Sequence, residues 1–363
     1  LPNRVLNMTK LFEAMTIRDL TVRNRVWVAP MCQYSAEDRD GVPTEWHLVH
    51  YGARAAGGAG LVIVEASAVS PEGRISPWDT GIWNDEQVDG WSYILDFMHG
   101  QGAAVGIQLA HAGRKASIYR EWSGHGSVPL NDGGWQTVSA TDEAFTSYDA
   151  PRKLETAEVS DVVKDFVNAA RRAQDAGFDV VEIHAAHGYL IHQFLSPITN
   201  KRTDIYGGDL ENRARILVEI VQGIRAEVGE GMPILVRFSA TDYVEGGWDE
   251  AQTATVAKWC ADAGADLFDI STGGLVTGVK IPSGPGYQVP IAEFVAERVD
   301  EPVAVVGQIT TGTQAEEILQ RGNVEVIMIG RAELRDPMWP LRAAHELGVE
   351  VDYWPNQYSR GKF

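Results

Sequence analysis

Short apolar runs rich in β-branched residues alternate with longer helical patterns along the whole chain. The apolar runs are nearly continuous, which is typical of parallel strands covered on both faces. They predict eight strands, over residues 25–29, 61–66, 104–109, 179–184, 234–238, 267–271, 303–307 and 326–330. The longer patterns predict helices over residues 45–56, 86–99, 158–176, 210–228, 250–263, 313–320 and 337–347. Eight β→α units in succession favour an α/β fold, a (β/α)8 TIM barrel forming a single domain, over a doubly wound sheet.

One segment interrupts this rhythm. Residues 116–157 are rich in Ser, Gly, Trp, Asp and Pro, and they fall between the third predicted strand and its helix. A connection this long in a compact domain usually covers a site. We therefore expect a capping insertion or lid rather than a separate domain. Residues 1–10 are expected to form a flexible leader, and residues 11–363 the barrel.

Composition narrows the possible partners. With 363 residues and 44% hydrophobic content, the chain can bury one large core. Its formal net charge of -19 argues against nucleic acid or an anionic membrane as the main partner. No apolar run approaches the ~20 residues of a membrane span. The two cysteines, Cys32 and Cys260, are too few for a disulfide framework, so we expect a cytoplasmic protein.

In such barrels the active site lies at the carboxyl ends of the strands. The residues at those positions are mostly polar or glycine. The full set is Met31, Cys32, Ala66, Gln108, His184, His187, Tyr189, Arg237, residues 271–274, Gly307, Gly330 and Arg331. Gly307 and the pair Gly330 and Arg331 follow strands seven and eight, where barrels often bind phosphate. Turn glycines followed by a surface arginine would look the same. Arg237 ends an apolar run and needs a polar partner, for which a ligand is favoured over a structural ion pair.

The cluster of His184, His187 and Tyr189 offers two hydrogen-bond donors and a weak acid. It suits gripping a carbonyl or nitro oxygen while a proton is delivered beside it. The two histidines could instead bind a metal, with His111 or Cys32 as third ligand, but no acidic residue accompanies them at the strand ends. Tyr189 favours hydrogen-bond recognition, and we predict no metal. Whether Cys32 is a filler or a site residue stays open.

Longer motifs surround these positions. The most specific runs from His184-Ala-Ala-His-Gly-Tyr-Leu-Ile-His-Gln-Phe-Leu-Ser-Pro197 through Asn200-Lys-Arg-Thr-Asp204 and Tyr206-Gly-Gly208 to Glu211-Asn-Arg213. Others are Ala29-Pro-Met-Cys32, Val64-Glu-Ala66, Gln108-Leu-Ala-His-Ala-Gly-Arg-Lys115, Pro285-Gly-Tyr-Gln288 and Ile329-Gly-Arg331. With these motifs the chain resembles the old yellow enzyme family of FMN-dependent ene-reductases, especially its bacterial thermophilic-like and xenobiotic reductase branch.

The resemblance implies a role for each matching residue. FMN would be bound by Ala29, Pro30, Met31, Cys32, Ala66, Gln108, Arg237, Gly273, Gly307, Gly330 and Arg331. Within that set, the glycines at 307 and 330 with Arg331 would hold the phosphate, and Cys32 would tune the flavin. The substrate would be bound by His184, His187, Tyr34, Lys115, Tyr287 and Arg360 of a neighbouring subunit. Tyr189 would protonate the product. A homodimer or homotetramer with a shared active-site edge is expected.

The implied activity is reduction of activated C=C bonds in α,β-unsaturated aldehydes, ketones, maleimides or nitroalkenes. NADPH or NADH would donate hydride to the flavin in the same pocket, giving ping-pong kinetics. This explains the lack of a Gly-x-Gly-x-x-Gly run after a strand. Two alternatives remain: a metal-dependent hydrolase that uses the histidine pair, and a flavin-binding barrel without turnover.

Overall fold

Eight parallel strands close into a barrel in the computed structural model, which describes residues 9–363. The strands are β1 (Val26–Val28), β2 (Leu61–Ala68), β3 (Ala104–Ala110), β4 (Val180–Ala185), β5 (Ile234–Ser239), β6 (Leu267–Ser271), β7 (Val303–Val305) and β8 (Val326–Ile329). Each pairs with the next one along the chain, and β8 pairs with β1. The predicted (β/α)8 barrel is therefore confirmed.

Ten α-helices surround and connect the strands in the described part of the chain. They are α1 (Glu45–Ala56), α2 (Asp85–Gly100), α3 (Thr156–Ala176), α4 (Leu190–Leu195), α5 (Leu210–Val228), α6 (Glu250–Ala263), α7 (Val289–Ala296), α8 (Gly312–Gln320), α9 (Arg331–Arg335) and α10 (Trp339–Leu347). Seven match the predicted helices within two residues. The sequence pattern missed α4, α7 and α9, which have at most eight residues and so show too few turns for a helical period.

Local hydrogen bonds fix where several helices begin and end. The Asn84 side chain accepts the Gln87 backbone N–H, and the Gln87 side chain reaches back to the backbone of Asn84. The Asp209 and Asp249 side chains cap α5 and α6 by accepting the backbone N–H groups of Asn212 and Gln252. Helix α3 ends at Gly177, whose φ of 101° lies in the left-handed region that favours glycine. These ends set how far each connection must reach to the barrel mouth.

The core has two layers. The larger lies between strands and helices, and a smaller apolar cluster belongs to the alternate, inward strand positions. That interior cluster includes Trp27, Leu61, Ile63, Val180, Leu235, Leu267, Ala304, Val326 and Met328. Met15 and Val22 join it from an antiparallel hairpin, Met15–Ile17 with Leu20–Val22, that precedes β1. Further toward the carboxyl ends the inward positions become polar, which places a charged layer between the apolar floor and the mouth.

A β-bulge in β2 changes which side chains face the mouth. Val64 pairs with Ile107, but the next pair is Ala66 with Gln108, so Glu65 is the extra residue. Glu65 accepts hydrogen bonds from the Tyr51 hydroxyl at 2.9 Å and from the Gln33 backbone N–H at 2.8 Å. The bulge thus directs Ala66, and not a carboxylate, toward the inward layer. Glu65 in turn anchors the loop after β1.

The long connection lies where it was predicted, between the end of β3 and the start of α3. It contains two two-residue strands, Val138–Ser139 and Arg152–Lys153, which pair in parallel. From this connection Arg120 donates a 2.8 Å hydrogen bond to the Tyr34 carbonyl. Its function as a lid stays a prediction.

A short 3-10 helix lies near each end of the described part of the chain. Of the predicted leader, residues 1–8 lie outside the described residues, and Lys10 opens the 3-10 helix Lys10–Phe12. At the other end, Asn356–Gly361 forms a 3-10 helix. Within residues 9–363, no helix combines the length and apolar character that crossing a membrane requires.

Candidate active site

A cavity of about 480 Å³ opens at the carboxyl ends of the strands. This volume lies within the usual range of cofactor and ligand sites. Eight of the predicted site residues line it: Ala29, Pro30, Met31, Arg237, Tyr287, Gly307, Gly330 and Arg331. With Ser271 of β6, which lines the cavity as well, the carboxyl ends of five strands, β1, β5, β6, β7 and β8, contribute to one site.

One end of the cavity suits a phosphate. Arg331 and Arg335 lie one turn apart on α9, line the cavity and make no hydrogen bond or ion pair within residues 9–363. Gly307 has a φ of 132°, and a Cβ there would meet the Gln288 side chain at 3.0 Å. Two free cations beside exposed backbone, in a chain of net charge -19, fit the phosphate of FMN. Arg335 was missed from the sequence because α9, the short helix that places it one turn from Arg331, was not predicted.

Arg237 serves the cavity and the barrel interior together. Its side chain lines the cavity, while its Nε lies 2.9 Å from an Asp269 carboxylate oxygen on the neighbouring strand. The sequence pattern favours a ligand over a structural ion pair as the partner of Arg237. The structure shows that the ion pair is present, with Asp269, in addition to the contact with the cavity. Burial raises the pKa of Asp269, and the Arg237 charge opposes that rise.

A second buried carboxylate lies in the same layer. Glu182 pairs with Gln108 across β3 and β4, and its Oε1 accepts a 2.7 Å hydrogen bond from the Gln108 side-chain amide. Burial and the Asp269 charge raise the pKa of Glu182 to about 8. The prediction concerned the strand ends only, and Glu182 lies inside β4, two residues before His184 on the same strand face.

The histidine and tyrosine cluster is assembled as predicted. The ring centroids of His184 and His187 are 5.2 Å apart, and those of His184 and Tyr189 are 5.0 Å apart. His187 has a φ of 58°, so the chain turns sharply after β4 and brings its ring back beside His184. The two imidazoles and the phenol share one small surface next to the cavity.

Both imidazoles are neutral. Burial, followed by the Arg237 charge, lowers the pKa of His184 and of His187 well below the ordinary value. His184 Nδ1 accepts the Ala186 backbone N–H at 3.3 Å, so the ring proton is on Nε2. His187 Nε2 lies 2.8 Å from Ser271 Oγ, which connects the cluster to a cavity-lining residue. The neutral His184 ring, with its proton fixed on Nε2, is a hydrogen-bond donor rather than a cation, and the neutral His187 ring has one N–H to donate.

Tyr189 keeps its proton. Burial raises its pKa well above 10. Its backbone forms the N-cap of α4, which fixes the direction of the ring. The phenol is therefore an acid that releases its proton only to a strongly basic group, such as a carbanion.

Lys115 stabilises the turn after β4 that contains His187. Its ammonium donates to the His187 and Gly274 carbonyl oxygens, each at 2.8 Å, and lies 5.3 Å from the Tyr189 ring centroid. Burial and the neighbouring Arg114 lower its pKa to about 8. Two of its three donors are used within the protein, so the structure supports a clamp on the turn more directly than the predicted substrate contact.

A buried polar network supports the turn from beneath. The Gly188 backbone N–H donates to His192 Nδ1 at 2.9 Å, and His192 Nε2 lies 2.8 Å from Asp242 Oδ1. Asp242 Oδ2 also accepts from Ser196 Oγ at 2.6 Å and from the Trp248 backbone N–H at 2.9 Å. These residues were not predicted, because His192 and Asp242 are 50 positions apart and neither ends a strand in the sequence pattern.

Cys32 and Tyr34 lie on the loop after β1. They pack at the edge of a small apolar cluster that includes Ala66 and Tyr189. Burial, with charge from Asp79, raises the pKa of Cys32 well above 9, so the side chain is a thiol and not a thiolate. This agrees with a residue that touches a cofactor without attacking anything.

Other predicted residues are more distant from the cavity lining. Gly273 has a φ of 71° in the turn after β6, beside Gly274. Arg360 is exposed on the C-terminal 3-10 helix and does not line the cavity of its own chain. His111 is buried, its Nδ1 accepts the Gly113 N–H, and burial lowers its pKa to about 4. Across the described residues, no three His, Cys, Asp or Glu side chains form a group able to hold a metal ion.

Comparison with known proteins agrees with this geometry. Residues 10–350 match a family described as NADH:flavin oxidoreductase / NADH oxidase. An NADPH dehydrogenase of Listeria monocytogenes is 48% identical over 97% of this chain and 99% of its own length.

Two solved structures share the fold. An old yellow enzyme homologue from Zymomonas mobilis is 31% identical, with a TM-score of 0.78 over 97% of this chain and 98% of that one. A morphinone reductase in complex with tetrahydroNAD is 28% identical, with a TM-score of 0.77 over 94% and 92%. The chain therefore belongs to the NADH:flavin oxidoreductase / NADH oxidase family, as an FMN-dependent NADPH oxidoreductase of the old yellow enzyme type.

Proposed function

We propose that this oxidoreductase is an ene-reductase, which reduces activated C=C bonds of α,β-unsaturated aldehydes, ketones, maleimides or nitroalkenes. One observation carries the proposal. Two neutral imidazoles and a protonated phenol cluster beside a cavity that fits FMN, with the ring centroid of His184 5.2 Å from that of His187 and 5.0 Å from that of Tyr189. Such a set binds an oxygen and supplies a proton, which are the two needs of conjugate reduction.

The cofactor would be held along the cavity. Arg331 and the glycines at 307 and 330 would bind the phosphate, and Gln108 and Arg237 the pyrimidine side of the ring. The predicted residues Ala29, Pro30, Met31, Cys32, Ala66 and Gly273 would surround the rest. Bound FMN supplies the hydride chemistry that links the nicotinamide cofactor to the alkene.

The protein's own groups then act on the alkene. His184 and His187 donate hydrogen bonds to the electron-withdrawing oxygen, where negative charge develops as the β-carbon is reduced. Each donor aimed at such a charge contributes about 3 kcal/mol. Tyr189 gives its proton to the α-carbon, and the high pKa of the phenol ensures that it is protonated when the substrate arrives.

One pocket would serve both substrates in turn. NADPH or NADH would bind first and leave as the oxidised form, and the alkene would then occupy the same surface, so the kinetics would be ping-pong. The barrel supports this order, since the described residues 9–363 place one cavity at its mouth, where both ligands would bind.

The substrate pocket would be completed by other groups. Tyr34 and Tyr287 would flank the ligand, and Lys115 would shape its edge. Arg360, exposed on the C-terminal 3-10 helix, would reach into the pocket of a neighbouring subunit in a homodimer or homotetramer. The cytoplasmic location predicted from the two cysteines, both free in the structure, belongs to the same proposal.

Spectroscopy of the purified protein tests the proposal. The protein should show flavin absorbance, lose it when NADPH is added without oxygen, and regain it when an enone is added. Tyr189→Phe should leave the NADPH half-reaction nearly unchanged and slow the enone half-reaction. If enones, maleimides and nitroalkenes all fail to reoxidise the flavin, the proposal is refuted. Equal losses in both half-reactions of the variant would refute the role of Tyr189 alone.

A further inference from the structure

We infer that Glu182 takes up one proton from solvent whenever the bound FMN is reduced, and releases it when the flavin is reoxidised. This inference rests on the FMN site of the proposed function. It goes beyond that function because Glu182 belongs to neither the phosphate site nor the histidine and tyrosine cluster. The charges in the layer just below the cavity do not balance.

That layer contains two carboxylates and one cation. Glu182 and Asp269 are fully buried and Arg237 is 5% exposed. Arg237 Nε is 2.9 Å from Asp269, whereas the hydrogen-bond partner that the described residues offer to the Glu182 side chain is the neutral Gln108 amide. Within residues 9–363 the second carboxylate oxygen of Glu182 is buried and accepts no hydrogen bond, and neither do the two oxygens of Asp269, so Asp269 is held by its ion pair with Arg237 alone. The single positive charge acts on both carboxylates and makes its ion pair with Asp269, so the layer has one uncompensated negative charge whenever both carboxylates are ionised.

The surroundings of Glu182 offer no further compensation. Gln108 approaches from β3, Arg237 from β5 and Asp269 from β6. His184, on the same strand, is neutral. The inward positions below are the apolar Val180, Leu235 and Leu267. The charge state of Glu182 therefore depends on Arg237, Asp269 and whatever negative charge lies in the cavity above them.

Reduction changes that cavity charge. Arg237 lines the cavity and faces Asp269 as well, so a negative charge gained by the cofactor is shared with the same guanidinium. An ionised Glu182 then meets a second nearby negative charge, which favours its neutral form. Because burial and Asp269 already bring the pKa of Glu182 to about 8, a modest further rise changes its protonation near neutral pH.

The atoms and electrons balance without another reactant. The hydride from NADPH carries two electrons and one hydrogen to the cofactor, which by itself consumes no proton from solvent. Protonation of Glu182 adds one solvent proton to that step. When an alkene removes the hydride, Glu182 returns its proton to solvent, so the overall stoichiometry is unchanged.

Proton uptake can be measured directly. FMN-loaded protein in weak buffer with a pH indicator is mixed anaerobically with one equivalent of NADPH. We expect uptake approaching one proton per FMN at about pH 9, above the oxidised-state pKa, and close to none at about pH 6, where Glu182 is already protonated. Glu182→Gln should abolish the uptake at every pH. Glu333→Gln, which removes another fully buried carboxyl with a raised pKa, should leave it intact.

A second variant and a second measurement complete the test. In Asp269→Asn, Arg237 has only Glu182 to neutralise, so the uptake should move to lower pH. The midpoint potential of the wild type should change by about 60 mV per pH unit inside the uptake window and about 30 mV outside it, and by about 30 mV throughout in Glu182→Gln. Full uptake in Glu182→Gln, or none in the wild type, would overturn the inference. Protein that binds no FMN, or is not bleached by NADPH, would instead count against the FMN site itself.

Discussion

Replacing Asp242 by Asn should destabilise the protein through a donor that the amide cannot satisfy. The carboxylate accepts three hydrogen bonds, from His192, Ser196 and the Trp248 backbone N–H. His192 cannot change its tautomer to help, because its Nδ1 accepts the Gly188 N–H. If the amide oxygen of the Asp242→Asn variant took the place of the oxygen that faces His192, the amide NH2 would face the Trp248 N–H. In the flipped orientation the amide oxygen would face the Trp248 N–H, and the NH2 would face the His192 N–H. Either orientation leaves one buried N–H without an acceptor.

The magnitude follows from that count. A lost hydrogen bond to a charged group costs about 1.5–3 kcal/mol, and an unsatisfied buried donor about 1–3 kcal/mol. We expect the free energy of unfolding to fall by about 3 kcal/mol or more. Burial pushes the pKa of Asp242 up, but the bonds from His192 and Ser196 outweigh it and hold that pKa below its ordinary value. The carboxylate's contribution is therefore full above the unfolded pKa of about 4 and fades as pH falls through the lower folded value.

Urea denaturation at fixed excess FMN measures the stability change, and titration with a phenol, read by flavin absorbance, measures the effect on the turn. Phenol binding should weaken several-fold, because Gly188 joins His187 to Tyr189. Asp249→Asn is the matched control, since this residue caps α6 by accepting the Gln252 N–H at 2.8 Å and Asn caps helices equally well. If the two variants lose the same stability, or Asp242→Asn binds phenol like the wild type, the reasoning fails.

Three further perturbations address the site. Replacing both His184 and His187 with Ala should weaken phenol binding by about tenfold or more, and an unchanged Kd would contradict their role as donors. Gly274→Ala places a Cβ 2.7 Å from the His187 Cα and should impair phenol binding, whereas Gly278→Ala, with open space around it, should not; similar titrations for both would dismiss the steric argument. Deleting residues 360–363 should raise the KM for enones if subunits share their sites, and wild-type kinetics would argue against a contribution from Arg360.

The barrel could be predicted because its strands are apolar on both faces and its long helices show several turns of pattern. The failures have local causes. Helix α7 follows a stretch rich in Gly and Pro and has only eight residues, so its period was not visible. Strand β7 was expected to reach residue 307, but regular pairing ends at Val305 and Gly307 adopts a φ of 132°. The bulge at Glu65 depends on contacts with α1 that no strand pattern contains.

The site could be predicted where a reactive side chain lies at a strand end or in the turn that follows it. His184 and Tyr189 satisfy that rule, and the structure places them in contact. The supporting residues do not satisfy it. Lys115 acts through two backbone carbonyls, and the pairing of His192 with Asp242 arises only when β4 and β5 stand side by side. The tautomer of a histidine and the partner of a charged side chain depend on such three-dimensional neighbours, so the sequence alone does not specify them.

The charged layer below the mouth lies between these two cases. With a strand period of two, the inward positions can be counted back from each predicted site residue. Counting back by two from His184 gives Glu182, and counting back by two from Ser271, which contacts His187, gives Asp269. Both lie in the same layer as Arg237. Their outward neighbours are apolar, which made the strands look uniformly hydrophobic. Burying two carboxylates beside one arginine is unfavourable for stability alone, because an apolar layer would pack without desolvating any charge. An arrangement that costs stability in the barrel's interior is expected where function depends on it, and here it lies directly beneath the cavity that fits the cofactor.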